Sequence, residues 1–298
     1  STGAASLARA IHPFPARMAP EVALAVVGES GQPMRVLDPM CGSGTVLSLG
    51  VHHGHTVTGY DLDPLAVLMA TVATQPVDVA ALQVVGAECL DTARRARATH
   101  HRWSDEETRE FARYWFGESQ RTQLFRLSNA INVLPRGPKR DALQVALSRL
   151  IVTKSPQASL AADTAHSRPH RVLGESTYDV FTGFEASVRS VARILSEREL
   201  RGSAVIARGD ARNNDLFPSD RFDLVVTSPP YLNAIDYLRG HRMALIWLGH
   251  ALSELRAVRA ISIGSEATRP CSPTESNEAL VQHVFGQSVP FEPRIQRI

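Results

Sequence analysis

Short apolar runs, glycine turns and amphipathic segments follow one another in the first third of the chain. Met34–Leu37 and Thr56–Tyr60 have the length and composition of buried strands, and helical patterns cover Thr45–His53 and Pro64–Ala73. A strand, a glycine turn, a helix and a second strand in this order are typical of a parallel sheet with helices packed on it. We therefore predict a doubly wound α/β sheet in this part of the chain.

The pattern changes near residue 90 and changes back near residue 200. An irregular polar stretch, Thr153–Thr177, lies within this middle region, and strand patterns return only at Ser203–Ala207 and Phe222–Thr227, with a helical segment from Asp236 to about Val258. Three helical patterns occupy the middle region: Ser104–Leu134, Arg140–Val152 and Tyr178–Glu199. We predict three parts, with residues 1–90 and 201–298 forming the sheet domain and residues 91–200 forming a helical insertion.

Composition limits the class of protein. The chain has 298 residues, of which 44% are hydrophobic, and its 32 basic and 30 acidic residues nearly balance. This excludes a disordered chain and leaves nucleic-acid binding open. No run of about 18 apolar residues occurs, the first residues lack the apolar core of a signal peptide, and the three cysteines form no Cys-x-x-Cys pair. We predict a cytoplasmic protein with no membrane span, no disulfide and no metal.

A glycine turn joins the first strand to the first helix. Its sequence over Asp38–Thr45 is DPMCGSGT, in which Gly42 and Gly44 allow the backbone to turn tightly and to approach a ligand. The turn lacks both GxGxxG and Gly-Lys-Ser/Thr, so neither a dinucleotide nor a P-loop phosphate is the natural ligand. Asp61 and Asp63 follow the second strand about 20 residues further on, where an acid can hold both hydroxyls of a ribose.

These features favour a nucleoside with an uncharged linker, such as S-adenosylmethionine. Its sulfonium and amino groups would favour the acid at Asp38, while Asp61 suits the ribose. Asp210, which follows the third predicted strand, is placed to accept from an adenine amine. Asp63 suits the N-cap of the next helix equally well.

A second motif ends the fourth predicted strand, Thr227-Ser-Pro-Pro-Tyr231. Two prolines cannot continue a strand, so the chain leaves the sheet in a fixed extended turn. The carbonyl groups and Ser228 can accept the hydrogens of an exocyclic amine, and Tyr231 can stack on a planar base. The alternative is a proline turn beside a core tyrosine.

Together, the two motifs resemble those of the amino-directed, S-adenosylmethionine-dependent DNA methyltransferases, and the Ser-Pro-Pro-Tyr form is similar to the cytosine-N4 branch. His12–Arg17 (HPFPAR) resembles a motif that packs beside the methionine end of the cofactor. The resemblance implies a Rossmann-like class I methyltransferase fold, with seven strands in the family, and a place in restriction–modification. It implies that Ser228, Pro229, Pro230 and Tyr231 hold the target base. The implied cofactor contacts are His12, Phe14, Asp38, Pro39, Cys41, Gly42, Gly44, Thr45, Asp61, Leu62, Asp210 and Ala211.

The predicted insertion lies where one permutation class of the family carries its target-recognition region. Its loop over residues 154–171 offers side chains that can contact phosphates or base edges, although a solvated connector is the alternative. The predicted nucleic-acid contacts are Lys154, His166, Arg168, His170 and Arg171.

No strand pattern follows the Ser-Pro-Pro-Tyr turn, although the family fold needs about three more strands. A fragment, a second polypeptide that completes the sheet, or a loss of activity would each explain this.

The two motifs and their resemblance together predict a DNA methyltransferase acting on the N4 amine of cytosine. The alternatives are an adenine-N6 DNA enzyme, a guanine-N2 RNA enzyme, or a degenerate or split half that binds nucleic acid or a partner chain without activity of its own.

Overall fold

The computed structural model describes residues 9–14, 17–28, 31–97, 103, 105–154, 157–166, 168–217, 221–229 and 236–262. The strands within these ranges are β1 (Arg35–Asp38), β2 (Thr56–Asp61), β3 (Ala161–Ala162), β4 (His170–Arg171), β5 (Ser203–Arg208) and β6 (Leu224–Val225). The helices are α1 (Pro20–Val27), α2 (Thr45–His52), α3 (Pro64–Thr74), α4 (Val79–Arg95), α5 (Glu106–Trp115), α6 (Glu118–Asn132), α7 (Pro138–Ser148), α8 (Val180–Ser196), α9 (Leu238–Leu248) and α10 (Leu252–Ile261).

Four strands form a parallel sheet in the order β5-β2-β1-β6. Val36 of β1 lies opposite Val57 of β2 and Leu224 of β6, so these side chains project from one face. Helices α1, α2 and α3 cover that face, where Val36 and Val57 of the sheet are fully buried together with Leu47 of α2. The predicted Rossmann-like α/β fold is thereby confirmed.

The edge strand β6 is shorter than the predicted Phe222–Thr227. Asp223 accepts hydrogen bonds from the backbone and the guanidinium of Arg35, so it anchors the start of this segment by its side chain. At the other end, Thr227 donates its hydroxyl to Asp38. Polar side chains therefore hold both ends of the predicted strand.

The helices from α4 to α10 share a second apolar core. This core includes Leu124, Leu143, Phe184 and Trp247, and Met69 of α3 joins it to the sheet. Helix α4, which the sequence pattern did not predict, begins at Val79 and packs against α6 and α8. The division at residues 90 and 200 remains a prediction.

The predicted helix over Ser104–Leu134 is two helices. Phe116 has extended backbone angles, and Gly117 then serves as the N-cap of α6. The backbone carbonyl of Trp115 accepts a hydrogen bond from Leu160, so the break also supports the long loop. No helix in the described part of the chain is long and apolar enough to cross a membrane.

The loop between α7 and α8 is built on a short antiparallel pair, β3 and β4. Ala158, Ser159 and Leu160 are buried beside it, and Thr164 hydrogen-bonds to Gln157 across the turn. Buried residues thus fix a loop that the sequence pattern showed only as polar and irregular.

Candidate functional site

A cavity lies where the carboxyl ends of β1, β2, β5 and β6 meet, which is where parallel α/β sheets hold their ligands. It encloses about 1070 Å³ of free space, its solvent-facing mouth included. Its walls come from the HPF segment, the glycine turn, the turns after β2 and β5, and the start of α9. The lining residues are Phe14, Arg17, Met18, Asp38, Pro39, Met40, Cys41, Gly42, Ser43, Thr45, Val46, Asp61, Leu62, Asp63, Gly209, Asp210, Ala211, Ser228, Asp236, Tyr237, Leu238 and Ser262.

The two glycines of the turn have different parts in its geometry. Gly42 lines the cavity with φ of 50°, and a Cβ there would lie 3.2 Å from the ring of Phe14. Gly44 has φ of 79° and is the N-cap of α2, and a Cβ would lie 2.9 Å from the Cα of Ala70 in α3. Gly42 therefore shapes the wall, whereas Gly44 lets α2 and α3 approach each other behind it.

The carboxylate of Asp61 anchors the glycine turn through hydrogen bonds. Its carboxylate accepts the N–H of Gly42 at 2.8 Å and the N–H of Asp63 at 2.9 Å. Burial, with a further contribution from the charge of Asp63, raises the pKa of Asp61 to about 6 in spite of these hydrogen bonds. The cavity floor therefore carries a carboxylate that a nearby positive charge would stabilise.

Asp38 ties the glycine turn to the strand that leads into the Ser-Pro-Pro-Tyr turn. It accepts the hydroxyl of Thr227 at 2.8 Å and the N–H of Met40 at 3.3 Å. Burial raises the pKa of Asp38 to about 7. Among the described residues, no cation lies within ion-pair distance of Asp38 or Asp61. A cationic ligand would therefore offset the free-energy cost of ionising these two carboxyls inside the protein.

Asp63 has partners on two helices. It caps α3 by accepting the N–H of Leu65 at 2.8 Å, and its Oδ2 lies 2.5 Å from Nδ1 of His241 in α9. Burial alone would raise the pKa of Asp63, but the charge and hydrogen bond of His241 outweigh it, and the net shift is downward. The cap was one of the two sequence interpretations; the partnership with His241 was missed, because the two residues are 178 positions apart.

Two aromatic rings that line the cavity, those of Phe14 and Tyr237, lie near this pair. The ring of Phe14 stacks on Tyr237 with centroids 5.1 Å apart and lies 5.5 Å from the ring of His241. His12, two residues before Phe14, is buried but does not line the cavity. Burial lowers the pKa of His12 to about 3, and its Nδ1 donates a hydrogen bond to the carbonyl of Pro13. The HPF segment thus contributes Phe14 to the wall and places His12 behind it.

Most of the remaining predicted cofactor contacts line the cavity. Asp210 lines the cavity, but its two oxygens already accept from Arg212 at 2.9 and 2.6 Å, and this lowers its pKa. Gly44 does not line the cavity, for the packing reason given above. The others that do line it are Pro39, Cys41, Thr45, Leu62 and Ala211.

Of the predicted base-holding residues, Ser228 lines the cavity and Pro229 is exposed next to it. Pro230 and Tyr231 lie outside the described residues. The hydrogen bond between Thr227 and Asp38 therefore places the first residue of this motif beside the predicted cofactor turn.

The predicted nucleic-acid contacts on the loop lie elsewhere. Arg171 stacks over Tyr114 at 5.2 Å, His170 lies 3.8 Å from Asp163, and Lys154 lines a separate cavity next to the loop. Arg168 lies in the same loop, and the side chain of His166 is outside the described part. The structure does not bring these residues to the cavity that contains Ser228. The described residues contain no cluster of His, Cys, Asp and Glu that could hold a metal ion.

One curated protein provides a comparison. The chain is 23% identical over 267 residues to the type II methyltransferase M.MvaI of Kocuria varians, with 83% of this chain covered. This chain is similar to a type II methyltransferase. It spans 59% of the length of that relative. No family model matches, and no solved structure matches. The similarity supports the resemblance to methyltransferases and does not distinguish their target bases.

Proposed function

We propose that this chain belongs to an S-adenosylmethionine-dependent DNA methyltransferase that modifies the N4 amine of cytosine within a restriction–modification system. The observation that carries the proposal is a single cavity lined by Asp38, Asp61, Asp210 and Ser228. The similarity to a type II methyltransferase supports the same chemistry.

The cavity walls fit the proposed cofactor in charge and in hydrogen bonding. Asp38 offers a buried carboxylate to its sulfonium and amino groups, and Asp61 has acceptor capacity left for ribose hydroxyls after binding two N–H groups. The hydroxyls of Ser43 and Thr45 are buried in the glycine turn without a hydrogen-bond partner among the described residues. This is expected of groups that form hydrogen bonds with a ligand when it binds. When bound, the cofactor supplies an electrophilic methyl group on a positively charged sulfur.

The turn at Ser228 would hold the base. Its hydroxyl oxygen and the carbonyl of Pro229 can accept the two hydrogens of an exocyclic amine, which points the nitrogen lone pair into the cavity. Because a base inside a duplex cannot reach such a cavity, the target nucleotide must be flipped out. Pro230 and Tyr231 would complete the turn by the resemblance, with Tyr231 stacking on the base.

The choice of cytosine depends on the Ser-Pro-Pro-Tyr form of the motif. We would incubate the protein with isotopically methyl-labelled cofactor and either mixed-sequence duplex DNA or tRNA, digest to nucleosides and identify the product by mass spectrometry. We expect N4-methylcytosine from DNA. N6-methyladenine from DNA or N2-methylguanine from tRNA would replace the proposed target while keeping the reaction class.

A second polypeptide remains part of the proposal, since four parallel strands are described and the family fold has seven. Binding of cofactor and DNA without methyl transfer would support a split enzyme that needs this partner. Binding of DNA with indifference to the cofactor would contradict the methyltransferase proposal and support a non-catalytic module.

A further inference from the structure

Four arginines lie close to one another on the two helices that follow the Ser-Pro-Pro-Tyr turn. They are Arg239 and Arg242 of α9 and Arg256 and Arg259 of α10, here named the arginine cluster. Asp236 connects the cluster to the cavity, because it lines the cavity and also pairs with Arg259 and, at 3.7 Å, with Arg239. The cluster is therefore adjacent to the space that Ser228 faces.

Arg242 is the central member of the cluster. Its guanidinium lies 5.1 Å from the ring centroid of Phe111, and in the described part of the chain it has neither an ion pair nor a hydrogen bond. Burial, followed by the charges of Arg259, Arg239 and Arg256 and opposed by Asp236, lowers its pKa. A half-buried cation that lacks an anionic partner is costly, and the cost is offset when an anion binds there.

Acids pair with three of the four arginines. Within the described ranges these are Asp236 and Glu107, and Glu107 lies 2.6 Å from Arg256. Arg242 is therefore the member of the cluster that no acid of the described residues pairs with. Arginine is the side chain best suited to phosphate, because its planar fork donates two parallel hydrogen bonds and its ring-stacked form is held in place.

We propose that the arginine cluster binds the phosphate backbone of the DNA strand that presents the target base to the cavity. This inference rests on the proposed function. A flipped nucleotide keeps its flanking phosphates, so the backbone must pass close to the cavity, and the cluster adjoins the cavity through Asp236. Asp236 connects the cluster to that cavity, whereas Lys154 of the loop over residues 154–171 lines a separate cavity together with Asp163 and Glu175.

The test is DNA binding as a function of salt, with S-adenosylhomocysteine present and a short mixed-sequence duplex as the probe. We would compare Arg242→Gln and Arg256→Gln with Arg95→Gln, an arginine on α4 whose side chain is 83% exposed. Each cluster variant should weaken binding by roughly five- to tenfold, and the slope of log K against log salt should lose about 0.9 for each lost phosphate contact. Arg95→Gln should leave both unchanged.

A change of the opposite sign strengthens the test. Glu107→Gln removes a negative charge and releases Arg256, so it should tighten DNA binding by about two- to fivefold at low salt. Thermal unfolding checks that each variant is folded. If Arg242→Gln does not fold, Arg256→Gln decides the matter alone, since the side chain of Arg256 is 57% exposed.

Several results separate this inference from the proposed function. Wild-type affinity and salt slope in both cluster variants would overturn the inference while leaving methyl transfer untouched. Failure of the wild-type protein to bind the duplex would also overturn it, even if cofactor binds. If the cluster variants lose DNA binding but the wild-type protein transfers no methyl group, the inference stands and the proposed activity fails.

Discussion

The imidazole of His241 and the carboxylate of Asp63 form a buried pair, with Nδ1 and Oδ2 2.5 Å apart. Asp63 begins α3 directly after the acid turn of β2, and His241 lies in α9, which follows the turn that contains Ser228. The pair therefore joins the wall of the proposed cofactor site to the helix that follows the turn proposed to hold the base.

We expect Asp63→Asn to lower the free energy of unfolding by about 2 kcal/mol, because His241 loses its charged partner inside the protein. Asp78→Asn is the matched control: Asp78 also caps a helix by accepting from Ala81, but it is exposed. Asparagine caps helices as well as aspartate does, so this variant should change stability very little. Equal losses in urea unfolding of the two variants would contradict the role assigned to His241.

Cofactor affinity should depend on pH in a way that follows from Asp38 and Asp61. Burial raises their pKa values to about 7 and about 6, so both carboxyls hold protons that the unfolded chain would release. A cationic sulfonium prefers the ionised forms, so affinity should rise from about pH 5 to about pH 8 and then level off. Calorimetry over this range would show it, and S-adenosylhomocysteine, which lacks the sulfonium charge, should give a shallower curve.

The same shifts predict the sign of a stability effect. Because the folded protein binds these protons more tightly than the unfolded chain, the free energy of unfolding should fall as pH rises from about 4 through about 7. Asp38→Asn should remove part of this fall. An unchanged pH profile in the variant would show that Asp38 is not a source of the effect.

Two serines of the cavity should separate binding from turnover. Ser228→Ala removes an acceptor for the amine and should lower kcat by about tenfold or more, with the Kd for cofactor nearly unchanged. Ser43→Ala, in the glycine turn, should mainly raise the Kd for cofactor. Loss of cofactor binding in Ser228→Ala, measured by calorimetry, would contradict the assignment of Ser228 to the target base and indicate a contact with the cofactor.

Cys41 lines the cavity but should not act as a nucleophile. Burial raises the pKa of its thiol, followed by contributions from Asp61 and Asp38, so the thiolate is disfavoured. Direct transfer to an amine needs no thiolate, and we expect Cys41→Ala to keep measurable turnover. Cys89→Ala, in the helical core, is the control for loss of a buried thiol. Abolished turnover with cofactor binding intact would contradict direct transfer.

The two glycines should respond differently to alanine. Gly44→Ala would force a left-handed residue against the backbone of Ala70, and we expect a loss of stability of about 2 kcal/mol or more. Gly42 also has a positive φ, but a Cβ there would meet only the ring of Phe14, which can shift. We therefore expect Gly42→Ala to cost less stability than Gly44→Ala and to weaken cofactor binding. Chemical unfolding would measure the two losses of stability, and calorimetry would measure cofactor affinity. A larger loss of stability in Gly42→Ala than in Gly44→Ala would contradict the prediction.

The sequence alone predicted the features that depend on chain direction and apolar pattern. Parallel strands end at one edge, so acids at the ends of β1, β2 and β5 were expected near one another, and Asp38, Asp61 and Asp210 do line one cavity. The roles assigned to these residues remain predictions.

Features that depend on distant tertiary contacts could not be predicted. His241 lies in a helix whose pattern shows only a buried face, and nothing in that pattern names Asp63 as its partner. The arginine cluster comes from two helices whose relative placement no sequence period specifies. The break at Phe116 was missed because helical patterns continue on both sides of it.

The hydrogen bond from Thr227 to Asp38 connects residues 189 positions apart. During synthesis, β1 and β2 emerge early, but the strand that carries Thr227 can dock beside β1 only after the whole helical region has left the ribosome. Contacts of such long separation slow folding, because the intervening chain must be ordered or looped before they form. Newly made chains should therefore become able to bind a ligand in the cavity late, after their helices are in place.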